Sequence, residues 1–243
     1  MTDMAAVEEL SHAAVAAFGR IDVWINSAAV LLFGAFEEIP PAAFRQVIET
    51  NLLGYVNGAR AALKQFRLQG GRGTLINVAS VLGAVPEPYV SAYVASKFAI
   101  RGFSGCLRQE VRDTPGIRVC TVSPAALDTP VYRNAGNYRR QEARSIVPVY
   151  DPYRVARVIC NLSQRPRREV VVSAFGWFVM FGARLSPALT ERVLERLGPK
   201  LQFKSESEPA TEGNLFHSTS NRYSVHGGWR SYWVNRVFRN GNN

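Results

Sequence analysis

The 243-residue chain is 47% hydrophobic and 20% charged, the composition of a globular protein able to bury a core, and one domain plus an extension is expected. Its net charge of +10 splits unevenly, +3 over residues 1–150 and +7 over residues 151–243, but no run of five Lys/Arg occurs, so nucleic acid is not an expected partner. Cys106, Cys120 and Cys160 stand apart with no C-x-x-C pair or His cluster, and neither a basic-then-apolar leader nor ~18 uninterrupted apolar residues are present; no metal, disulfide framework or membrane span is expected, and a reducing, cytoplasmic setting is.

Residues 4–18, MAAVEELSHAAVAAF, repeat apolar side chains at helical spacing, with Asp3 placed to cap the start and Gly19 to end the helix. IDVWIN, residues 21–26, reads as a short strand covered on both faces. Ser27, Ala28 and Ala29 behind it are small enough to let a ligand approach the backbone. Pro40 and Pro41 open a long helix to about Leu68. Asn51 and Gly54 fall in its interior, each unfavourable by up to about 1 kcal/mol relative to Ala, so a packing or functional need must offset them.

After the turn at Gly70–Gly73, the strand Thr74–Ala79 delivers Ser80 at its carboxyl end. A Gly/Pro-rich loop then leads into a helix to about Asp113 that carries Tyr93 and Lys97, one turn apart on one face. Y-x-x-x-K alone usually means a half-buried Tyr beside a solvated Lys. Ser80 changes that reading, because ligands of open parallel sheets bind at the carboxyl ends of strands.

A strand at Ile117–Val122 ends in Ser123-Pro124. Residues 128–150 break the rhythm and mix aromatics with Arg133, Arg139, Arg140 and Arg144, as a substrate lid does. A helix at 152–164, a strand at Glu169–Ser173 and a helix at 187–197 complete the expected core, and residues 200–243 read as an irregular polar tail. The uncharged stretch Val170–Ala183 is expected to be a core strand entering a buried helix; the alternative is an amphipathic surface in peripheral contact with a bilayer or a lipophilic substrate. Strands alternating with helices specify an α/β fold, a three-layer doubly wound parallel sheet with right-handed crossovers.

Over about residues 1–185 the chain resembles the short-chain dehydrogenase/reductase family. The resemblance rests on Asp3, Asn26-Ser27-Ala28-Ala29 after the strand, Asn51 in the long helix, Ser80, Tyr93 with Lys97, and Ser123-Pro124-Ala125 followed by Thr129. It implies a Rossmann-like oxidoreductase that interconverts a carbonyl and an alcohol by hydride transfer with NAD or NADP. Tyr93 would be the general acid/base, and Lys97 would favour the phenolate and hold the nicotinamide ribose. Ser80 would hydrogen-bond the substrate oxygen, and Asn51 would fix a water relaying protons to Lys97. Asp3, Asn26 and Ala28 would contact the adenosine side, and Pro124, Ala125 and Thr129 the nicotinamide amide. From the residues themselves, a helix cap for Asp3, a strand-end cap for Ser80 and a packing role for Asn51 stay open.

Asn26-Ser27-Ala28-Ala29 stands where the family has N-N-A-G, and Pro124-Ala125 where it has P-G. No T-G-x-x-x-G-x-G turn occurs, so residues 1–199 are expected to be a partial catalytic domain lacking the first βαβ half, through a misread start or a true truncation. IDVWIN would then be an exposed sheet edge. A rival reading is a fragment of that family serving as a non-enzymatic interaction module. The resemblance also implies a homo-oligomer built through helices 41–68 and 91–113. The lid and residues 175–181 suggest a lipophilic small-molecule carbonyl or alcohol.

Overall fold

In the computed structural model, which describes residues 1–218 and 224–232, Asp3 caps helix α1 (Met4–Phe18). The Ala5 N–H donates to its Oδ1 at 2.8 Å, and Gly19 closes the helix at φ +80°, a conformation that favours glycine. Strand β1 (Val23–Asn26) and the two-residue β2 (Leu32–Phe33) lead to α2 (Pro41–Ile48) and α3 (Gly54–Leu68), then to β3 (Gly73–Val78), α4 (Ser91–Glu110) and β4 (Ile117–Ser123). The later elements are α5 (Val131–Asn134), β5 (Gly136–Asn137), β6 (Gln141–Ala143), α6 (Pro152–Gln164), β7 (Glu169–Val171), α7 (Ala174–Leu185), α8 (Pro187–Gln202) and β8 (Phe203–Ser207).

The central sheet runs β1-β3-β4-β7, every pairing parallel, which bears out the α/β reading. Strand alternation sorts its two faces. Leu75 points into the cluster formed with α1, α3 and α4, and Ile76 into the one formed with α6; both are fully buried. Each such side chain contributes about 1.5–3 kcal/mol of hydrophobic stabilisation. The register sets Asn26 beside Asn77, Val78 beside Val122 and Ser123 beside Val171, so the strands end at one level. There the loops after β3 and β4 are tied together, Val81 N–H donating to the Pro124 carbonyl at 2.9 Å.

Four local expectations need correction. β1 is covered on one face only: Trp24 is buried under α3, whereas Ile25, on the face that α6 does not reach at this edge, is 46% exposed. The helix from 41 to 68 contains a π-helical turn at Glu49–Leu53, and Asn51 is the residue it turns inward.

The tail does not become irregular at Lys200. α8 runs to Gln202 and β8 pairs antiparallel with β6, because Phe203 packs edge-on against Phe33 (5.5 Å) and Tyr89 (6.0 Å). Arg144 donates to the carbonyls of Leu201 and Lys200, both at 2.7 Å, capping the end of α8. Leu215 and Trp229 are also buried; the rest of the expected tail, residues 219–223 and 233–243, lies outside the described residues.

The fourth correction concerns Val170–Ala183. α7 buries only one stripe, with Gly176 and Ala183 inward and Trp177, Phe178 and Phe181 exposed. Gly176 lets the helix lie against the loop after β3, since a Cβ there would be 2.7 Å from Val81 Cγ2. Among the described residues, no helix is long and apolar enough to cross a membrane.

Candidate active site

Ser80 leaves β3 in extended conformation and caps the 3₁₀ turn Val81–Gly83, its Oγ accepting from Leu82 N–H at 3.1 Å. That turn presses on α4 at Gly83, where a Cβ would stand 2.8 Å from the Lys97 carbonyl oxygen. The Ser80 hydroxyl also acts on the Tyr93 phenol, favouring its ionised form. The strand-end cap and the action on Tyr93 are therefore properties of one side chain.

Lys97 is almost fully buried. Its Nζ donates to the carbonyl of Val78, the last residue of β3, at 2.9 Å, and the Tyr55 hydroxyl donates to the same oxygen at 3.0 Å. The ammonium lies 5.2 Å from the Tyr55 ring centroid and 5.4 Å from that of Tyr93. Ser96 Oγ donates to the Tyr93 carbonyl at 2.7 Å. An apolar wall that includes Leu31, Phe33, Val90, Ala143 and Phe203 surrounds the Tyr93 ring.

Burial pushes the Tyr93 phenol up to about 12, and the neighbouring Glu87 adds to the rise while the Ser80 hydrogen bond opposes it. Burial also brings Lys97 down to about 7. The expected dominance of Lys97 over the phenol does not appear, because the ammonium faces the Tyr93 ring and desolvation outweighs charge proximity at both groups. At neutral pH Tyr93 keeps its proton and is poised as an acid.

Two further groups escaped the sequence reading. Glu87, in the loop between Ser80 and Tyr93, has its carboxyl raised to about 7 by burial, with a hydrogen bond to Gln202 acting the other way. Tyr132 of α5 is raised by burial and by the charges of Tyr93 and Glu87. Glu87 was visible as an acid in a strand-end loop. Tyr132 carried no local signal, since only the docking of residues 128–150 brings it here.

Asn51 is fully buried. Its Oδ1 accepts from Val30 N–H at 2.8 Å, and its Nδ2 donates to the Val30 carbonyl at 2.9 Å and to Ser96 Oγ at 3.3 Å. These bonds pin the π turn to α4 and to the segment after β1, the geometry of a packing role. Asn26 is spent similarly: Nδ2 donates to Tyr55 O at 3.1 Å and Asn77 Oδ1 at 2.9 Å, while Oδ1 accepts from Trp24 Nε1 at 2.9 Å. Asp3 is an exposed helix cap.

Ala28 is exposed and Ala125 half-buried, whereas the Pro124 and Thr129 carbonyls accept from Val81 N–H and Trp229 Nε1. These residues fit the nicotinamide-ribose end of a dinucleotide: Lys97 has donors beyond the one given to Val78, and small residues line the strand ends. At the expected adenosine end, the Asn26 amide is hydrogen-bonded within the fold, and exposed Asp3 caps α1 through Oδ1 alone. A cavity of about 650 Å³, lined by Arg139, Arg144, Lys200 and Lys204, shares Phe203 with the wall around Tyr93 but is lined by none of Ser80, Tyr93 and Lys97.

The model of the short chain dehydrogenase family matches residues 1–140. The chain is 30% identical over 241 residues to the uncharacterized oxidoreductase YxnA of Bacillus subtilis, covering 96% of this chain and 68% of that protein. It is 35% identical over 193 residues to the probable oxidoreductase EphD of Mycobacterium tuberculosis, covering 73% of this chain but only 32% of that longer protein. Among solved structures, a short-chain dehydrogenase from Streptomyces avermitilis superposes with a TM-score of 0.66 at 25% identity, over 82% of this chain and 78% of that one. An alcohol dehydrogenase from Thermococcus sibiricus complexed with 5-hydroxy-NADP gives 0.58 at 26% identity, over 70% of each chain.

Proposed function

This chain belongs to the short chain dehydrogenase family of NAD(P)-dependent oxidoreductases, which act on CH–OH groups, and from that premise we propose that Tyr93 exchanges a proton with the oxygen of a carbonyl/alcohol pair. The observation that carries the reading is Ser80, Tyr93 and buried Lys97 gathered at the carboxyl end of β3, Lys97 donating to the Val78 carbonyl and lying 5.4 Å from the Tyr93 ring centroid. A nicotinamide cofactor, when bound, supplies or accepts the hydride; a solved relative complexed with 5-hydroxy-NADP supports NAD(P) here.

The chain's own part is proton handling and positioning. The protonated phenol of Tyr93 donates to a carbonyl oxygen as charge develops on it, and Ser80 supplies a second hydrogen bond to that oxygen. Lys97 holds the ribose hydroxyls and refills the phenol's proton. Asn51 acts through Val30 and Ser96, setting the position of α4 against β3. Pro124, Ala125 and Thr129 line the nicotinamide side, and Ala28, exposed after β1, the adenosine side. Residues 128–150 form the lid and contribute Tyr132, which with Leu82, Val90 and Val131 gives an apolar surround suited to a lipophilic substrate. Helices α3 and α4, which leave Leu68 and Phe98 exposed, are proposed as the faces of a homo-oligomer.

The test is turnover of a carbonyl and alcohol panel with both cofactors, for the wild-type chain and Tyr93→Phe. The variant should lose about 10²–10⁴-fold in turnover while binding cofactor as the wild type does. Wild-type turnover by Tyr93→Phe would remove the phenol from the reaction. Absence of cofactor binding by the wild-type chain would favour the interaction-module reading.

A further inference from the structure

α7 and α8 form a helical pair whose inner stripe, which includes Val179, Met180, Ala183 and Leu194, packs on the loop after Ser80 at Val81 and Val85. Their outer face is apolar and uncovered: Trp177 is 52% exposed, Phe178 66% and Leu185 70% on α7, and Leu189 is 61% exposed on α8. Val193 and Leu197 extend the stripe at helical spacing. The aromatics are ordered against one another, the Trp177 and Phe181 rings stacked at 5.1 Å. Scattered exposed apolar residues are ordinary; a continuous patch across two helices marks an interaction surface.

We propose that this face docks on an anionic lipid bilayer and sets the substrate end of the sheet against it. Charge placement selects that occupant. At 3.6 residues per turn, Arg192, Arg196 and Lys200 project within about 60° of Leu189, while Glu191 and Glu195 project about 120–160° away. Arg184 flanks Trp177 on α7 in the same way, and all four cations are exposed. An outward apolar stripe edged by cations, with acids on the far flank, is the pattern of a helix lying in the headgroup region. Trp177 has the amphipathic ring that favours that depth.

The docking requires neither cofactor nor turnover, so its failure is distinct from failure of the redox reading. The full chain would be floated with phosphatidylcholine vesicles and with vesicles containing phosphatidylglycerol, alongside Phe178→Asp and the pair Arg192→Glu/Arg196→Glu. These substitutions touch exposed positions, and far-UV circular dichroism checks that the fold is kept. The expected result is flotation with the anionic vesicles only, reduced at least tenfold by either variant and by high salt. Failure to float with anionic vesicles, or flotation unchanged in Phe178→Asp, would overturn the proposal. So would a sedimenting oligomer that Phe178→Asp dissociates, since a second copy would then cover the face.

Discussion

Asn51→Ala separates a structural from a proton-relay role for the residue inside the π turn. The substitution removes the acceptor of the Val30 N–H and the donor to its carbonyl, bonds of 2.8 and 2.9 Å, on a residue that is fully buried. Each buried backbone group left without a partner costs about 1–3 kcal/mol, and alanine's better helix propensity returns about 0.5 kcal/mol, so the net loss is about 2–5 kcal/mol. In a chain of this size 1 kcal/mol shifts the unfolding midpoint by about 2–4 °C, which places the expected fall at about 5–20 °C. Thermal unfolding followed by circular dichroism measures it. Asn51→Asp should also be destabilised, because it keeps the acceptor but sets a second oxygen against the Val30 carbonyl. A midpoint within about 1 °C of wild type would refute the packing argument. An unchanged midpoint with a displaced pH–rate profile would reinstate the relay.

Gly58→Ala should destabilise by about 1–3 kcal/mol despite alanine's helix preference, because the new Cβ would stand 2.9 Å from Trp24 Nε1 and closer to Asn26 Oδ1; a stabilised variant in urea unfolding would contradict this. Stability should also follow pH in two opposed limbs. Glu87 is raised from 4.5 to about 7 by burial, so the native state binds the extra proton and stability falls as pH rises from about 4.5 to 7. Lys97 is lowered from 10.5 to about 7, so the unfolded state holds the extra proton and stability recovers between about pH 7 and 10.5. Urea midpoints at pH 5, 7 and 9 should therefore pass through a minimum near 7, and Glu87→Gln should flatten the acid limb; an unaltered limb in that variant would assign it to another group.

Much of the site was readable before any tertiary contact was known. Ser80 at the end of an apolar strand and Tyr93 and Lys97 one turn apart are products of local periodicity, which acts over a few residues. The same periodicity announced four parallel strands and the helices between them. Roles set by competition between burial and charge were not readable. The spacing of Tyr93 and Lys97 suggested a lowered phenol pKa, yet the ammonium lies over the ring and burial dominates. Asn26 and Asp3 carried a family pattern, but their hydrogen bonds go to Tyr55, Asn77 and the first turn of α1.

The sequence by itself determined the alternation of elements and the placement of Ser80 at a strand end and of Tyr93 and Lys97 on one helix face, because hydrophobic period, caps and strand-end position are properties of neighbouring residues. Tertiary structure alone decided which long-range pairs form. It sets Trp229 N–H on Asp128 Oδ1 at 2.7 Å, Phe203 against Phe33, and Tyr132 in the field of Tyr93. It also decided the fate of Val170–Ala183. Apolarity asked for burial on every side, but a helix resting on a sheet-end loop can bury only the stripe that meets it, and the aromatic remainder faces outward.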